Sequence, residues 1–221
     1  MNNSTIVVFD FETGSVNPET CEVIQVAAMA LHPRSLTELG QYSSLIKPRD
    51  FSKLEKEALE INKKSIEELE KAPDLSIVWK SFTSFIKKYN PKPGNTFFAP
   101  IAAGKNIRHF DLIIINRLAK EFGDCDKNGK QNLFNKRSVF DLDDFIFQWF
   151  DNSNELRDHK MDTLREFFGL STANAHDALV DVKQTALLLK SFIQLHRKVA
   201  TRVNFKNSLN ENSGTAKGFI S

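Results

Sequence analysis

The first periodic segment of the chain is Thr5-Ile6-Val7-Val8-Phe9-Asp10-Phe11-Glu12-Thr13, apolar and β-branched until it meets two acids. Such a run predicts a buried strand. Gly14-Ser15-Val16-Asn17-Pro18 then predicts a turn. Val23 to Leu31 is apolar and rich in Ala and Val, which predicts a second buried strand, and His32-Pro33-Arg34-Ser35 breaks it. Leu39 to Ile46 predicts a third strand, stopped by Lys47-Pro48. Three strands with short connections predict an antiparallel meander.

Helical periodicity takes over next. Leu54 to Leu59 and Ser65 to Lys71 predict short helices, and Ser65 with Glu68 has capping-box spacing. Leu75, Val78, Trp79, Phe82, Phe85 and Ile86 recur at helical spacing, a stripe that reads as core before it reads as a base-stacking platform. Tyr89 to Asn95 predicts a loop. Thr96 to Ala103 predicts a fourth strand, with Pro100 marking an edge or an irregularity. Phe110 to Phe122 predicts a helix. Gly123 to Arg137 is polar and predicts a mobile, solvated loop. Ser138 to Leu142 predicts a fifth strand. Helices are predicted at Asp143 to Phe150, Met161 to Phe168 and Asp177 to about Ala200, the last with Ala178, Val182, Thr185, Leu188, Leu189 and Phe192 on one face. Asn204 to Ser221 is rich in Asn, Ser and Gly and predicts disorder. No internal repeat appears.

Composition narrows the class. The chain has 221 residues and a net charge of +2, enough for a substantial core and too balanced for a nucleic-acid coat. From Arg197 onward the balance is +4, against −2 for the part before it. An electronegative body suits a cation and a basic end suits a polyanion, although a solvated terminus is the plain alternative. Cys21 and Cys125 lack metal-ligand spacing, so both are expected as reduced thiols in a cytoplasmic protein. No apolar segment is long enough for a membrane span, and the early start of the first strand leaves no room for a signal peptide.

The candidate chemistry begins with Asp10 and Glu12. Strand residues two apart point the same way, so these acids share a face at the end of a buried strand. Their mutual repulsion and desolvation are most simply relieved by a divalent cation. Two further acids lie downstream: Asp111, at the start of the helix after strand four, and Asp181, in the last helix. His176 precedes that helix, and with Asp181 about one turn in, both can face one cleft.

Three segments carry a resemblance: Phe9-Asp10-Phe11-Glu12-Thr13-Gly14, Asn106-Ile107-Arg108-His109-Phe110-Asp111 and His176-Asp177-Ala178-Leu179-Val180-Asp181. In order and placement they resemble the exonuclease motifs of the DEDDh (DnaQ-like) 3′→5′ exonucleases. The likeness covers about residues 5 to 195, including a helical insertion over Leu54 to Leu69 and a Thr-Leu…Phe-Gly-Leu helix over Met161 to Leu170. Alone each motif is weak; three in order are strong together. There are two departures. Members commonly read Asp-x-Glu-Thr-Thr-Gly-Leu, whereas this chain has Asp10-Phe11-Glu12-Thr13-Gly14-Ser15, leaving Val16 as the candidate for the apolar residue on the terminal base. The second motif runs five positions from Asn106 to Asp111, where many members have four.

The resemblance implies an α/β, ribonuclease H-like fold, with a mixed five-stranded sheet (three antiparallel strands first) flanked by helices. It implies an exonuclease domain over 1–200 and a flexible basic tail over 201–221. It implies a metal-dependent enzyme that removes nucleotides from the 3′ end of DNA or RNA as 5′-monophosphates, with a DNA polymerase as a possible partner. Two Mg²⁺ or Mn²⁺ ions would be held by Asp10, Glu12, Asp111 and Asp181, with His176 as general base. Thr13, Gly14 and Asn106 would contact the substrate. Plain alternatives stand beside these roles: Asp111 as a charge at a helix N-terminus, His176 as an ordinary helix-start residue, and the whole chain as a noncatalytic binding protein. Asp177 and Asp141 are expected as helix caps, Asp141 also as an acid behind the ligands.

Overall fold

The structure is a computed structural model that describes residues 4–173 and 175–203. The predicted disorder of segment 204–221 lies outside the described residues. The strands are β1 (Ile6–Thr13), β2 (Val23–Leu31), β3 (Glu38–Leu45), β4 (Ile101–Gly104) and β5 (Val139–Asp141). The helices are α1 (Lys56–Asn62), α2 (Ile66–Glu70), α3 (Leu75–Lys87), α4 (Asp111–Phe122), α5 (Leu142–Phe150), α6 (Met161–Phe168) and α7 (Ala178–Ala200). One sheet forms in the order β3-β2-β1-β4-β5. β1 pairs antiparallel with β2, and β2 antiparallel with β3, as the short connections predict. β1 pairs parallel with β4, and β4 parallel with β5.

Being central, β1 buries both faces, which is why its apolar run is continuous rather than alternating. Val7, Phe9 and Phe11 join the layer formed with α3 and α4. Ile6 and Val8 join the opposite layer, formed with α5, α6 and α7. The stripe on α3 is core: Leu75, Val78, Trp79, Phe82 and Ile86 are all buried. Helix ends follow local chemistry. The Ser65 hydroxyl accepts the Glu68 N–H at 3.1 Å, and the Asp177 carboxylate accepts the Leu179 and Val180 N–H groups at the start of α7. Gly123, at φ 79°, ends α4 in a left-handed turn that a side chain resists.

Two expectations change. The fourth strand starts at Ile101, not at Thr96. Residues 96–100 are turn, held by Asn95, whose side chain accepts the Phe97 N–H at 3.0 Å. Pro100 has no N–H for a ladder and lies just before the strand, so β4 sits inside the sheet rather than at its edge. The segment 123–137, expected as mobile and solvated, is anchored. Leu133 and Phe134 are buried, and the Gln131 side-chain carbonyl accepts their N–H groups at 2.7 and 2.8 Å. Phe134 stacks on Phe9 with ring centroids 5.0 Å apart. Fifteen mostly polar residues hid two that enter the core, one of them fastening the loop to β1.

Truncating Phe134 tests this anchoring. Phe134→Ala should cost about 3–5 kcal/mol in urea unfolding, the usual loss for a buried aromatic. A loss under about 1 kcal/mol would show that the loop does not contribute to the core.

Candidate active site

Because β1, β4 and β5 run parallel, their carboxyl ends meet on one side of the sheet, and the candidate residues gather there. Asp10 and Glu12 have the parity of Ile6 and Val8, so they face the α7 layer. α7 begins at Ala178 and brings Asp181 over in its first turn. α4 begins at Asp111, which is 2% exposed, and its Oδ1 accepts the Phe11 N–H at 2.9 Å. That bond ties the start of α4 to the strand carrying the acid pair.

The four acids interact. Burial first and then Asp181 push the Asp10 carboxyl up to about 7, against the opposing charges of Lys105 and Arg165. Burial, then Asp10, Asp181 and Asp111, together push Glu12 up to about 9 against Lys64. Asp111 is held well above the carboxylate range by burial and then by Asp10, against the lowering effect of the Phe11 N–H. Asp10, Glu12 and Asp111, raised in this way beside Asp181, are what a hard divalent cation would relieve, and an all-oxygen donor set fits Mg²⁺ or Mn²⁺. Among the described residues, no three His, Cys, Asp or Glu side chains converge tightly enough to grip a cation as they stand. The fold brings the acids within electrostatic reach and stops short of a closed cage. Asp181 is drawn instead to the Arg165 guanidinium, 2.5 Å away.

His176 occupies the residue just before the cap of α7, in a left-handed conformation with φ 66°. Its side chain is 33% exposed, and Nε2 lies 3.9 Å from Asp162 Oδ2. It lines a cavity of about 280 Å³ with Asn62, Lys63, Lys64, Ala175, Asp177 and Val180. Asp177 caps α7 as expected, and it also accepts from the Gln25 amide at 3.2 Å and lies 3.5 Å from the Lys64 ammonium. Asp141 is buried, caps α5, and accepts the Arg108 N–H at 3.2 Å.

The candidate substrate contacts divide. The Thr13 hydroxyl donates to the Ser15 carbonyl at 2.8 Å, while the Thr13 carbonyl accepts from the Asn62 amide at 3.0 Å. Gly14 is buried, and a Cβ there would stand 2.3 Å from a Leu54 methyl, which would have to turn aside. Asn106 is exposed, with φ 51°. Val16 is 81% exposed and packs on nothing in the core. His196 pairs with the Trp149 indole N–H at 2.9 Å, away from the acids.

Sequence reasoning passed over Arg165, Lys64, Lys105 and Gln25. Two of these left a signal. Met161, Leu164, Arg165 and Phe168 share one helical face, and Arg165 is a cation in an apolar stripe. Gln25 interrupts the apolar run of β2 directly across from Glu12. Its Oε1 is buried without a partner among the described residues. Lys105, bonded to Asp143 at 3.0 Å, and Lys64 gave no such signal.

The sequence model of the RNase_T exonuclease family matches residues 7–189. A PolC-type DNA polymerase III of Thermotoga petrophila is 26% identical over 205 residues, covering 89% of this chain and 12% of that protein. E. coli Exonuclease I in complex with a dT13 oligonucleotide superposes with a TM-score of 0.68 at 19% identity, over 91% of this chain and 44% of that one. Cell-death related nuclease 4 superposes with a TM-score of 0.66 at 18% identity, over 88% of this chain and 65% of that one. These structural likenesses establish the fold, a ribonuclease H-like α/β architecture. The chain spans less than half of Exonuclease I and a small fraction of the polymerase.

The raised acids give a pH dependence with a definite sign. Folded Asp10 and Glu12 hold protons more tightly than the unfolded chain does, so the metal-free protein loses stability as pH rises from about 4 towards 9. Glu12→Gln should therefore raise the metal-free melting temperature at about pH 8, by on the order of 1 kcal/mol of stability, and change little at about pH 5. Melting curves across pH check this; an equal effect at both pH values would contradict it.

Proposed function

We propose, from the premise that this chain belongs to the RNase_T exonuclease family, that it hydrolyses phosphodiester bonds stepwise from the 3′ end of a nucleic acid and releases nucleoside 5′-monophosphates. The supporting observation is the meeting of Asp10, Glu12, Asp111 and Asp181 at one end of β1, each raising or feeling the charge of another. Two Mg²⁺ or Mn²⁺ ions held by these four acids would supply charge stabilisation for the attacking and leaving oxygens. In this reading Asp10 would serve both ions, Glu12 and Asp181 one of them, and Asp111 the other.

His176 takes the proton from the attacking water. Imidazole suits that task near neutral pH, and the open cavity beside it lets the proton pass on to solvent. Lys63 and Lys64 on the same cavity wall, with Lys105 near Asp10, give the substrate's phosphates positive charge to settle against. The backbone at Thr13 and Gly14, with the exposed Asn106 amide, borders the terminal nucleotide. The oligonucleotide bound by Exonuclease I favours single-stranded DNA as the first substrate to try. RNA remains within the same chemistry. The PolC-type relative favours a polymerase as a partner.

Strands labelled at the 3′ or the 5′ end separate the outcomes. Single-stranded DNA, duplex DNA and RNA incubated with Mg²⁺ or Mn²⁺ should shorten stepwise from the 3′ end. Asp10→Ala and Asp181→Asn, the latter keeping an oxygen for the buried Arg165, should fold and lose this activity; near-native turnover in either would remove the acids from the chemistry. His176→Ala should slow single-turnover cleavage by ~10²–10⁴ while strand binding persists. An unchanged rate would deny His176 the role of base.

A further inference from the structure

Arg165 is the bulkiest fully buried side chain among the described residues. A guanidinium without water is costly unless its N–H groups are matched. Here three are: Nε donates to Gln184 Oε1 at 2.7 Å, Nη1 to Asp162 Oδ1 at 2.6 Å and Nη2 to Asp181 Oδ1 at 2.5 Å. Gln184 and Asp181 lie three apart on α7, and Asp162 lies three before Arg165 on α6. The rigid fork therefore fixes the first turn of α7 against α6. Asp162 in turn places its other oxygen 3.9 Å from His176 Nε2. Arg165 thus stands between the acid of α7 and the acid beside the histidine.

We propose that Arg165 is a positioning residue of the nuclease centre: it holds one oxygen of Asp181 and leaves the other as the single oxygen that acid presents to a cation. The inference rests on the metal-dependent reading above. A carboxylate so held cannot swing out to solvent or turn both oxygens onto one ion. It meets the metal already ordered, and less freedom is lost on binding. Gln184 and Asp162 keep the guanidinium itself from being driven off by the metal's charge.

The test uses the full chain and Mn²⁺ alone, with calorimetric titration of wild type, R165K, R165M and D181N. A lysine keeps the charge and loses the fork; a methionine keeps the bulk and loses both. Both Arg165 variants should bind Mn²⁺ about 10- to 100-fold more weakly. On a labelled strand the Mn²⁺ concentration for half-maximal rate should rise in step, with turnover recovering at saturating Mn²⁺. A Mn²⁺ constant equal to wild type in R165K overturns the proposal, because Arg165 is then only a fastening between helices. Tighter binding in R165M overturns it too, since Arg165 would then act as a competing charge. If R165M fails to give a cooperative melt, R165K decides alone. Should wild type and D181N titrate alike and wild type leave every strand intact, the nuclease reading falls and takes this proposal with it. A wild type that binds Mn²⁺ and shortens strands, beside an unaltered R165K, defeats the positioning role only.

Discussion

Like charges held close against their repulsion are the constraint from which the rest of the site follows. Asp10 and Glu12 hang from β1, Asp181 comes from α7, and Asp111 is fixed by the Phe11 N–H. Left to themselves, flexible side chains would turn such a group outward to water. They stay because β1 is gripped on both faces, by the layer around Phe9 and by the layer around Val8. The core therefore does more than stabilise the chain. It supplies the stiffness that keeps the acids together, and the raised proton affinity of Asp10, Glu12 and Asp111 records first their burial and then one another's charge.

The cations nearby complete that balance. Lys64, Lys105 and Arg165 each draw on one or more of the acids, and each is itself fixed by a further partner: Asp177, Asp143 and the Gln184–Asp162 pair. The quartet is thus neither bare nor neutralised outright. A site arranged this way can fold without an ion and still offer oxygens to one, because no acid except Asp181 is committed to a guanidinium.

Much of this was legible in the sequence where periodicity and chemistry agreed. The continuous apolar run of β1 could belong only to a strand covered on both sides, and the acids two apart could only share a face. α6 and β2 came out with the boundaries their patterns predict. The acids of β1, α4 and α7 come within electrostatic reach of one another without closing into a tight cage among the described residues. What escaped was information carried by single residues within a misleading average. Phe134 is one aromatic in a polar stretch, so composition read the stretch as solvated. Thr96 to Pro100 has strand-like residues, but Asn95 turns the backbone before they can pair. Lys64 belongs to a charged helical surface by pattern, and only the turn of the chain at Lys63, with φ 53°, carries it to Asp177. Arg165 was readable in principle, since an unmatched cation on an apolar face demands acids nearby. No one-dimensional rule named Asp181 as the acid.

The direction of α7 has an architectural consequence. From Asp181 to Ala200 the helix climbs roughly 28 Å at the α-helical rise, and Arg197 near its end donates to the carbonyls of Pro33 and Arg34. Those carbonyls lie just beyond Leu31, the partner of Ile6 at the opening of β1. Entry and exit of the described polypeptide thus share the pole remote from the carboxylates.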